Sequence, residues 1–384
     1  MTAGLAHWHT HNRFELLVDS HEFFPSMLAA IRNANRTIYF EQYLVASGSV
    51  LNDFIQALLA AAASGVEIYL LFDDYGAKRI STYDRNRLLA AGMHLKFYNL
   101  FRWSQLYSSM RRNHRKLLLI DDQIAFVGGA CINDEYRIED PPSRSWHDTV
   151  VRIEGQVVDD WRKSFVGVWR EVTGESLPVP SSSHTVTEHE PGRIALANGR
   201  GNNQILRHAI AQIKKSRNII WIATPYFVIT LKMRHALKRA ARHGVDVRLL
   251  LPGDITDHPW ITQAARRYYA RLLKNKVKIY EYQPRFIHAK LIICDTWVSI
   301  GSSNLDRWNH FWNLDANQEI WHSEFADQVR ALFKRDFAQS HCIDAEEWKQ
   351  RPWQQRLQEW RSSYRLRVIQ WLTYIATRIR KKAD

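Results

Sequence analysis

The chain has 384 residues, 46% hydrophobic and 24% charged, with 53 Lys and Arg against 39 Asp and Glu for a formal net charge of +14. That composition excludes global disorder and is long enough for a large core, a little more than one ordinary domain needs. The charge points to an anionic partner (nucleic acid, anionic lipid surface or phosphate ester) without choosing among them.

Residues 22–34 read as a helix, with Phe24, Met27, Leu28 and Ile31 on one face. Thr37 to Tyr43 is a strand, 49–63 a helix stopped near Gly65, and Val66 to Phe72 a buried strand with Asp73-Asp74 at its end. Helix 81–91 and a short strand, Leu95 to Tyr98, follow. The β-α-β-α-β order predicts a mostly parallel sheet with helices on its faces. The second half repeats it: helix 202–214, a strand from Asn218 to Tyr226, helix 231–243 before Gly244, strand Val245 to Leu251, helix 259–274 and strand Val277 to Tyr280. Two copies make a duplicated α/β unit rather than a solenoid. The expected division is a first half over 1–173, a Pro/Ser-rich linker over 174–192, a second half over 193–340 and a Trp/Arg-rich helical tail over 341–384. In the tail, Leu366, Ile369, Leu372, Ile375, Ala376 and Ile379 share one helical face, with basic residues at the end. Such a helix either packs on the core or lies on an anionic membrane.

Each half closes on the same string. Asn113-His114-Arg115-Lys116 precedes LLLI, Asp121, QIAFV and Gly128-Gly129; His288-Ala289-Lys290 precedes LIIC, Asp295, TWVSI and Gly301-Ser302-Ser303-Asn304. Both read His-x-Lys-x4-Asp. Residues two apart on a strand share a face, so His and Lys point the same way. One such pair would ordinarily be a satisfied histidine and a solvated lysine; two in matching contexts point to one shared site. Two His and two Lys suit a phosphate diester. One imidazole attacks phosphorus, the other protonates the leaving oxygen, and the phosphohistidine is resolved by an alcohol or water that the second His activates. The lysines offset the charge on the non-bridging oxygens, to which Ser302, Ser303 and Asn304 can also donate. Carboxylates do not cluster as a phosphate–metal site requires, so neither metal nor cofactor is expected.

A nucleophilic His needs a partner on its other ring nitrogen. Glu319, fifteen residues past Asn304, is the candidate for His288, and Asp148 the counterpart for His114; a structural ion pair is the alternative at both. Asp121 and Asp295 lie five residues past Lys, roughly 16 Å along a strand. They are expected to support the hairpin turns, by fixing them or pairing with Arg. Glu41 is either a buried ion pair or a pocket residue, and Asp73-Asp74 a helix-start or turn feature.

The duplicated motif resembles that of the phospholipase D superfamily, over roughly residues 20–340. Within it, Gly301-Ser-Ser-Asn-Leu-Asp-Arg-Trp-Asn309 and Asn313-Leu-Asp-Ala-Asn-Gln-Glu-Ile320 are similar to bacterial cardiolipin synthases, especially the shorter type without N-terminal membrane spans. The resemblance implies two similar α-β-α sandwich halves about a pseudo-two-fold axis. It also implies metal-independent transphosphatidylation through a phosphohistidine, with phosphatidylglycerol as donor, a second phospholipid or polyol as acceptor, and His114 favoured as nucleophile. One departure stands out: where the family has Asn two residues after Gly-Gly, this chain has Cys131, with Asn133 two further on. A thiol is a poor donor, so Asn133 or a backbone N–H must replace it, or the first half-site holds phosphate less well.

Three functional readings compete. A phosphatidyltransferase acting peripherally at the cytoplasmic face of the bacterial inner membrane takes up the charge, the fifteen Trp and the tail. A hydrolase or nuclease of the same superfamily would use the charge on nucleic acid, but no nucleic-acid-binding module is recognisable. A catalytically dead binding scaffold would leave the His–Lys pairs vestigial. Cys131, Cys294 and Cys342 form no disulfide framework, and neither a signal peptide nor a bilayer-spanning apolar stretch is legible, so a cytoplasmic, peripheral protein is expected.

Overall fold

The computed structural model describes residues 7–100, 110–138, 145–178, 184–198, 203–305, 312–354, 356–362 and 364. The expected tail helix over 366–382, part of the linker (179–183) and the motif positions 306–311 lie outside the described residues.

The first half contributes strands β1 (Asn12–Val18), β2 (Thr37–Gln42), β3 (Glu67–Asp73), β4 (His94–Tyr98), β5 (Arg112–Asn113), β6 (Leu117–Ile120), β7 (Ile124–Gly128) and β8 (Thr149–Gly155). Its helices are α1 (Ser20–Arg32), α2 (Ser49–Ala63), α3 (Thr82–Ala90) and α4 (Val158–Thr173). The second half contributes β9 (Gly192–Asn198), β10 (Ile219–Ala223), β11 (Asp246–Pro252), β12 (Lys278–Tyr282), β13 (Leu291–Cys294), β14 (Trp297–Gly301), β15 (Asn313–Trp321) and β16 (Ser340–Cys342). With them come α5 (Gln204–Lys215), α6 (Leu231–Arg242), α7 (Pro259–Arg266), α8 (Tyr269–Leu273), α9 (Ser323–Ala338) and α10 (Ala345–Gln350).

The two sheets repeat one topology. The first runs β1-β8-β7-β6-β2-β3-β4, and the second runs β9-β15-β14-β13-β10-β11-β12 with β16 added at the edge. The sheets are mixed, not mostly parallel: in the first, β2–β3 and β3–β4 are parallel, while β1–β8, β8–β7, β7–β6 and β6–β2 are antiparallel. The expectation stopped at the hairpin. Because the hairpin joins β2 antiparallel, and a further antiparallel strand follows on its far side, only the β-α-β crossovers give parallel pairs. The helix expected over 259–274 is likewise two helices, parted where Tyr268 N–H bonds to Ala265 O, a tightened turn.

The hairpin strands are apolar throughout because both their faces are covered. Leu117 and Leu119, like Leu291 and Ile293, face a central core shared by both halves. That core also holds Trp161, Phe165 and Trp169 of α4 and Phe325, Phe333 and Phe337 of α9. Leu118 and Ile120 face an outer core under α1 and α2, while Ile292 and Cys294 face one with α5 and α6 residues.

The signature aspartates sit at the hairpin turns, both in the left-handed region at φ 53°. Asp121 accepts from the backbone N–H groups of Asn35, Arg36 and Thr37, and Asp295 from those of Arg217, Asn218 and Ile219, at 2.8–3.0 Å. Arg36 and Arg330 donate in turn to the carbonyls of Asp121 and Asp295. Each aspartate thus ties its hairpin turn to the chain entering the neighbouring parallel strand, as expected of a supporting residue. Asp73 fixes a turn through the N–H groups of Tyr75 and Gly76, and Glu41 is a buried ion pair with Arg115 (2.9 Å). Asp295→Ala strands the three N–H groups and is expected to lower unfolding free energy by about 1–2 kcal/mol; urea denaturation measures this, with turnover per folded molecule retained.

Candidate active site

Each His-x-Lys string enters its hairpin at the carboxyl ends of the parallel strands, where Glu41 of β2 is opposite Leu117 and Ala223 of β10 is opposite Leu291. That end of an open α/β sheet is where ligands bind. The two halves meet there by exchanging backbone. The short β5 joins the second sheet, parallel to β15, and His114 N–H continues the ladder to Leu314 O at 2.9 Å. Reciprocally, His147 N–H donates to Phe286 O and His288 N–H to His147 O, both at 2.8 Å.

In each case the residue after the accepting carbonyl is an aspartate that receives the histidine side chain. His114 Nδ1 is 2.9 Å from Asp315 Oδ1, and His288 Nδ1 is 2.7 Å from Asp148 Oδ2. Both string histidines are therefore oriented by a carboxylate from the opposite half. This corrects both expected partnerships: Asp148 serves His288, not His114, and Glu319 serves neither. Glu319 shares a face of β15 with Asp315, but four residues on, or roughly 13 Å along the strand. There it binds Arg193 (2.6 Å) and His208 (2.8 Å). Asp315 was missed although its string was read. Strand register could have found it: Gly128 is opposite Val150 and Gly301 opposite Asn317, so Asp148 and Asp315 each stand two residues before the partner of the hairpin glycine.

The lysines repeat the symmetry. Lys116 Nζ donates to His114 O (2.7 Å) and Lys290 Nζ to His288 O (2.5 Å). Lys290 Nζ also stands 2.9 Å from His288 Nδ1 and 3.0 Å from Nε2, nearly equidistant and so along neither lone pair. Burial lowers the His114 pKa to about 4, aided by the charges of Lys116 and Lys290 and opposed by Asp315. Burial with Lys290 and Lys116 takes His288 to about 3 against the pull of Asp148. Burial and Lys116 push Lys290 down to about 8, although Asp148 favours its charge. Each lysine acts on the histidine of the other half, so the four groups share one field, and both imidazoles are neutral with Nε2 unprotonated.

The halves differ in the packing around this centre. Tyr43 meets His114 edge-on, with ring centroids 4.8 Å apart, and its ring is 5.2 Å from Lys116 Nζ. His288 is walled by Trp146 (4.8 Å), Phe286 (5.7 Å) and Tyr136 (5.9 Å). Counting from the hairpin glycine, Ser302 corresponds to Gly129 and Asn304 to Cys131. Ser302 Oγ donates to Asp315 (2.8 Å). Gly129 has no hydroxyl to offer; instead the buried Tyr136 hydroxyl donates to Gly129 O (3.2 Å) and reaches His288 Nδ1 at 2.8 Å. The buried Cys131 Sγ lies 4.0 Å from the same carbonyl. Asn133 spends an N–H on Glu135 (3.0 Å), and its buried Oδ1 has no partner among the described residues; the same holds for Asn304 Oδ1. Ser303 N–H donates to Asn317 Oδ1 (3.2 Å).

Two outcomes follow from this geometry. Asp315→Asn and Asp148→Asn are each expected to lower kcat at least ~10²-fold by losing the histidine's orientation and tautomer; Glu319→Gln leaves kcat within a few-fold. Steady-state kinetics on the three variants decides. In an NMR pH titration of the free protein, neither His114 nor His288 should protonate between pH 8 and 5.5, whereas Lys290→Gln, by removing a nearby cation, should shift the His288 titration upward.

The description "Cardiolipin synthase, PLD-like domain" belongs to the family model that matches residues 27–169 and 209–337. A cardiolipin synthase of Geobacillus kaustophilus is 32% identical over 351 residues, covering 90% of this chain and 70% of that protein. One of Clostridium perfringens is 31% identical over 353 residues, covering 88% and 73%. Among solved structures, phosphatidylserine synthase of Haemophilus influenzae superposes with a TM-score of 0.64 at 13% identity, over 86% of this chain and 87% of that one, a likeness of fold. With the family model spanning both halves and their His-x-Lys strings, this chain belongs to the cardiolipin synthase, PLD-like domain family of the phospholipase D superfamily.

Proposed function

We propose that the protein is a phosphatidyltransferase that makes cardiolipin or a related phospholipid from phosphatidylglycerol and a second phospholipid or alcohol. The observation that carries this reading is the crossed pair of Asp–His dyads with two lysines in one field, in a chain of this family. In the first step Nε2 of one histidine forms a bond to phosphorus and the bond from phosphorus to the donor's glycerol oxygen breaks. The other histidine, protonated, gives its proton to that oxygen. In the second step the same histidine, now neutral, takes the proton of the acceptor hydroxyl; its oxygen bonds to phosphorus and the P–N bond breaks. Which imidazole attacks is a choice between His114 and His288, and the family resemblance favours His114.

The acid step needs one proton more than the two neutral imidazoles carry. An arriving phosphodiester brings one negative charge to a centre with two lysines, and so raises the proton affinity of the imidazole at its leaving oxygen. Proton uptake coupled to substrate binding is part of this reading. In this reading Lys116 and Lys290 offset charge on the non-bridging oxygens, and the buried Ser303, Asn304 and Asn133 are further candidate donors, whereas the Ser302 hydroxyl is given to Asp315. The net charge of +14 suits an anionic lipid substrate, and peripheral association at the cytoplasmic face of the bacterial inner membrane completes the proposal.

The test is a lipid product assay with phosphatidylglycerol vesicles in EDTA. A diphosphatidyl lipid should form, and should fall roughly 10³-fold or more in both His114→Ala and His288→Ala. Phosphatidic acid as sole product would convert the reading to hydrolysis, and cleavage of a DNA diester without lipid turnover would replace it with a nuclease.

A further inference from the structure

Beyond α10 the chain turns at Arg351 and Pro352 and is helical again at 353–354, 356–362 and 364. The segment is anchored to the body: Trp348 packs on Tyr269, with ring centroids 5.0 Å apart. The polar side of this helix is the buried side. Glu359, 4% exposed, receives Arg351 Nε and Nη2 at 3.0 and 2.7 Å, and Ser362, 6% exposed, donates to Gln263 Oε1 of α7 at 3.0 Å. The apolar side is the outward one. Trp353, Leu357, Trp360 and Tyr364 are 69%, 37%, 58% and 57% exposed, and the Trp360 and Tyr364 rings stack at 5.9 Å.

Steps of four, three and four residues place these side chains within about 60° of the helix circumference, and put Glu359 and Ser362 on the far side. A surface helix ordinarily does the reverse, burying its apolar stripe. Keeping two Trp, a Leu and a Tyr in water forfeits hydrophobic free energy that a covering partner would recover. Arg356, whose Nη2 donates to the Lys349 carbonyl and leaves its other N–H groups outward, and Arg361 are both exposed and fall to either side of the row.

We propose that this outward face docks in the interfacial zone of an anionic bilayer. Trp and Tyr combine an apolar ring with a polar edge and favour the headgroup level. Arginines beside the row can lay their stems along the acyl boundary and present guanidinium groups to lipid phosphates. The chain's net charge of +14 has the sign an anionic leaflet attracts. From the proposed function the inference takes only that the substrate resides in a bilayer.

The experiment is co-sedimentation of the full chain with vesicles of phosphatidylglycerol and phosphatidylcholine, and of phosphatidylcholine alone. It compares wild type with a variant carrying Trp353→Ala, Leu357→Ala, Trp360→Ala and Tyr364→Ser, and with Arg356→Gln/Arg361→Gln. Turnover of short-chain phosphatidylglycerol below its micelle concentration is measured alongside. Expected are a loss of vesicle affinity of tenfold or more in the first variant, a loss confined to anionic vesicles in the second, and unchanged soluble turnover in both. Vesicle affinity unchanged by the four substitutions overturns the proposal. So does a wild-type dimer that the same substitutions make monomeric, since a second copy would then cover the face. Absence of soluble turnover in every protein, wild type included, counts against the phosphatidyltransferase reading alone, because vesicle binding is scored independently of chemistry.

Discussion

The crossed carboxylates hold this site together. A histidine that attacks phosphorus must be neutral, must carry its proton on Nδ1, and must not rotate. Burial and the two lysines meet the first demand; one aspartate meets the other two, and in this fold it comes from the other half: Asp315 for His114 and Asp148 for His288. The arrangement depends on backbone exchange. Because His114 N–H extends the β5–β15 ladder and His288 N–H bonds to His147 O, each ring is placed by a strand whose next residue is its aspartate. The supports behind these strands are charged as well. His147 is clamped between Asp19 (2.7 Å) and Asp336 (3.1 Å), which raise its pKa to about 9 against the effect of burial, so the residue beside Asp148 is a fixed cation.

The electrostatics explain how a strongly basic protein keeps two reactive imidazoles uncharged. Burial removes the water that would stabilise an imidazolium, and two lysines within the same enclosure disfavour it further. The aspartates oppose this only in part. The four groups therefore form a buried centre of positive potential around two neutral imidazoles, and in the proposed reaction the monoanionic diester supplies the charge that balances it.

Much of this was legible in the sequence. The repeated His-x-Lys-x4-Asp strings, the order of helices and strands from Thr37 onward, and the supporting part of Asp121 and Asp295 follow from periodicity and spacing. Four strands lie outside the legible repeat, β1 and β9 ahead of the first helix of each half and β8 and β15 beyond the hairpins, and with them goes the mixed character of the sheets. The histidine partners failed for a related reason. Along β15, Asp315 and Glu319 have the same parity and both end up buried, and a choice between them needs the register against β14 and the neighbour β5, which no local pattern supplies. Tyr136 was invisible because its role arises from an absence, the missing side chain at Gly129.

Reciprocal donation of aspartates also bears on ancestry. A half-length forebear with these contacts would have had a histidine whose partner lay on another molecule, so it could act only as a symmetric pair. In a single chain the two copies need not stay identical. The differences now found at matched positions, Gly129 with Ser302 and Cys131 with Asn304, are changes that an obligate homodimer could not have made on one side alone. Within one chain the two histidines need not share one role, whereas two identical chains would give both the same surroundings.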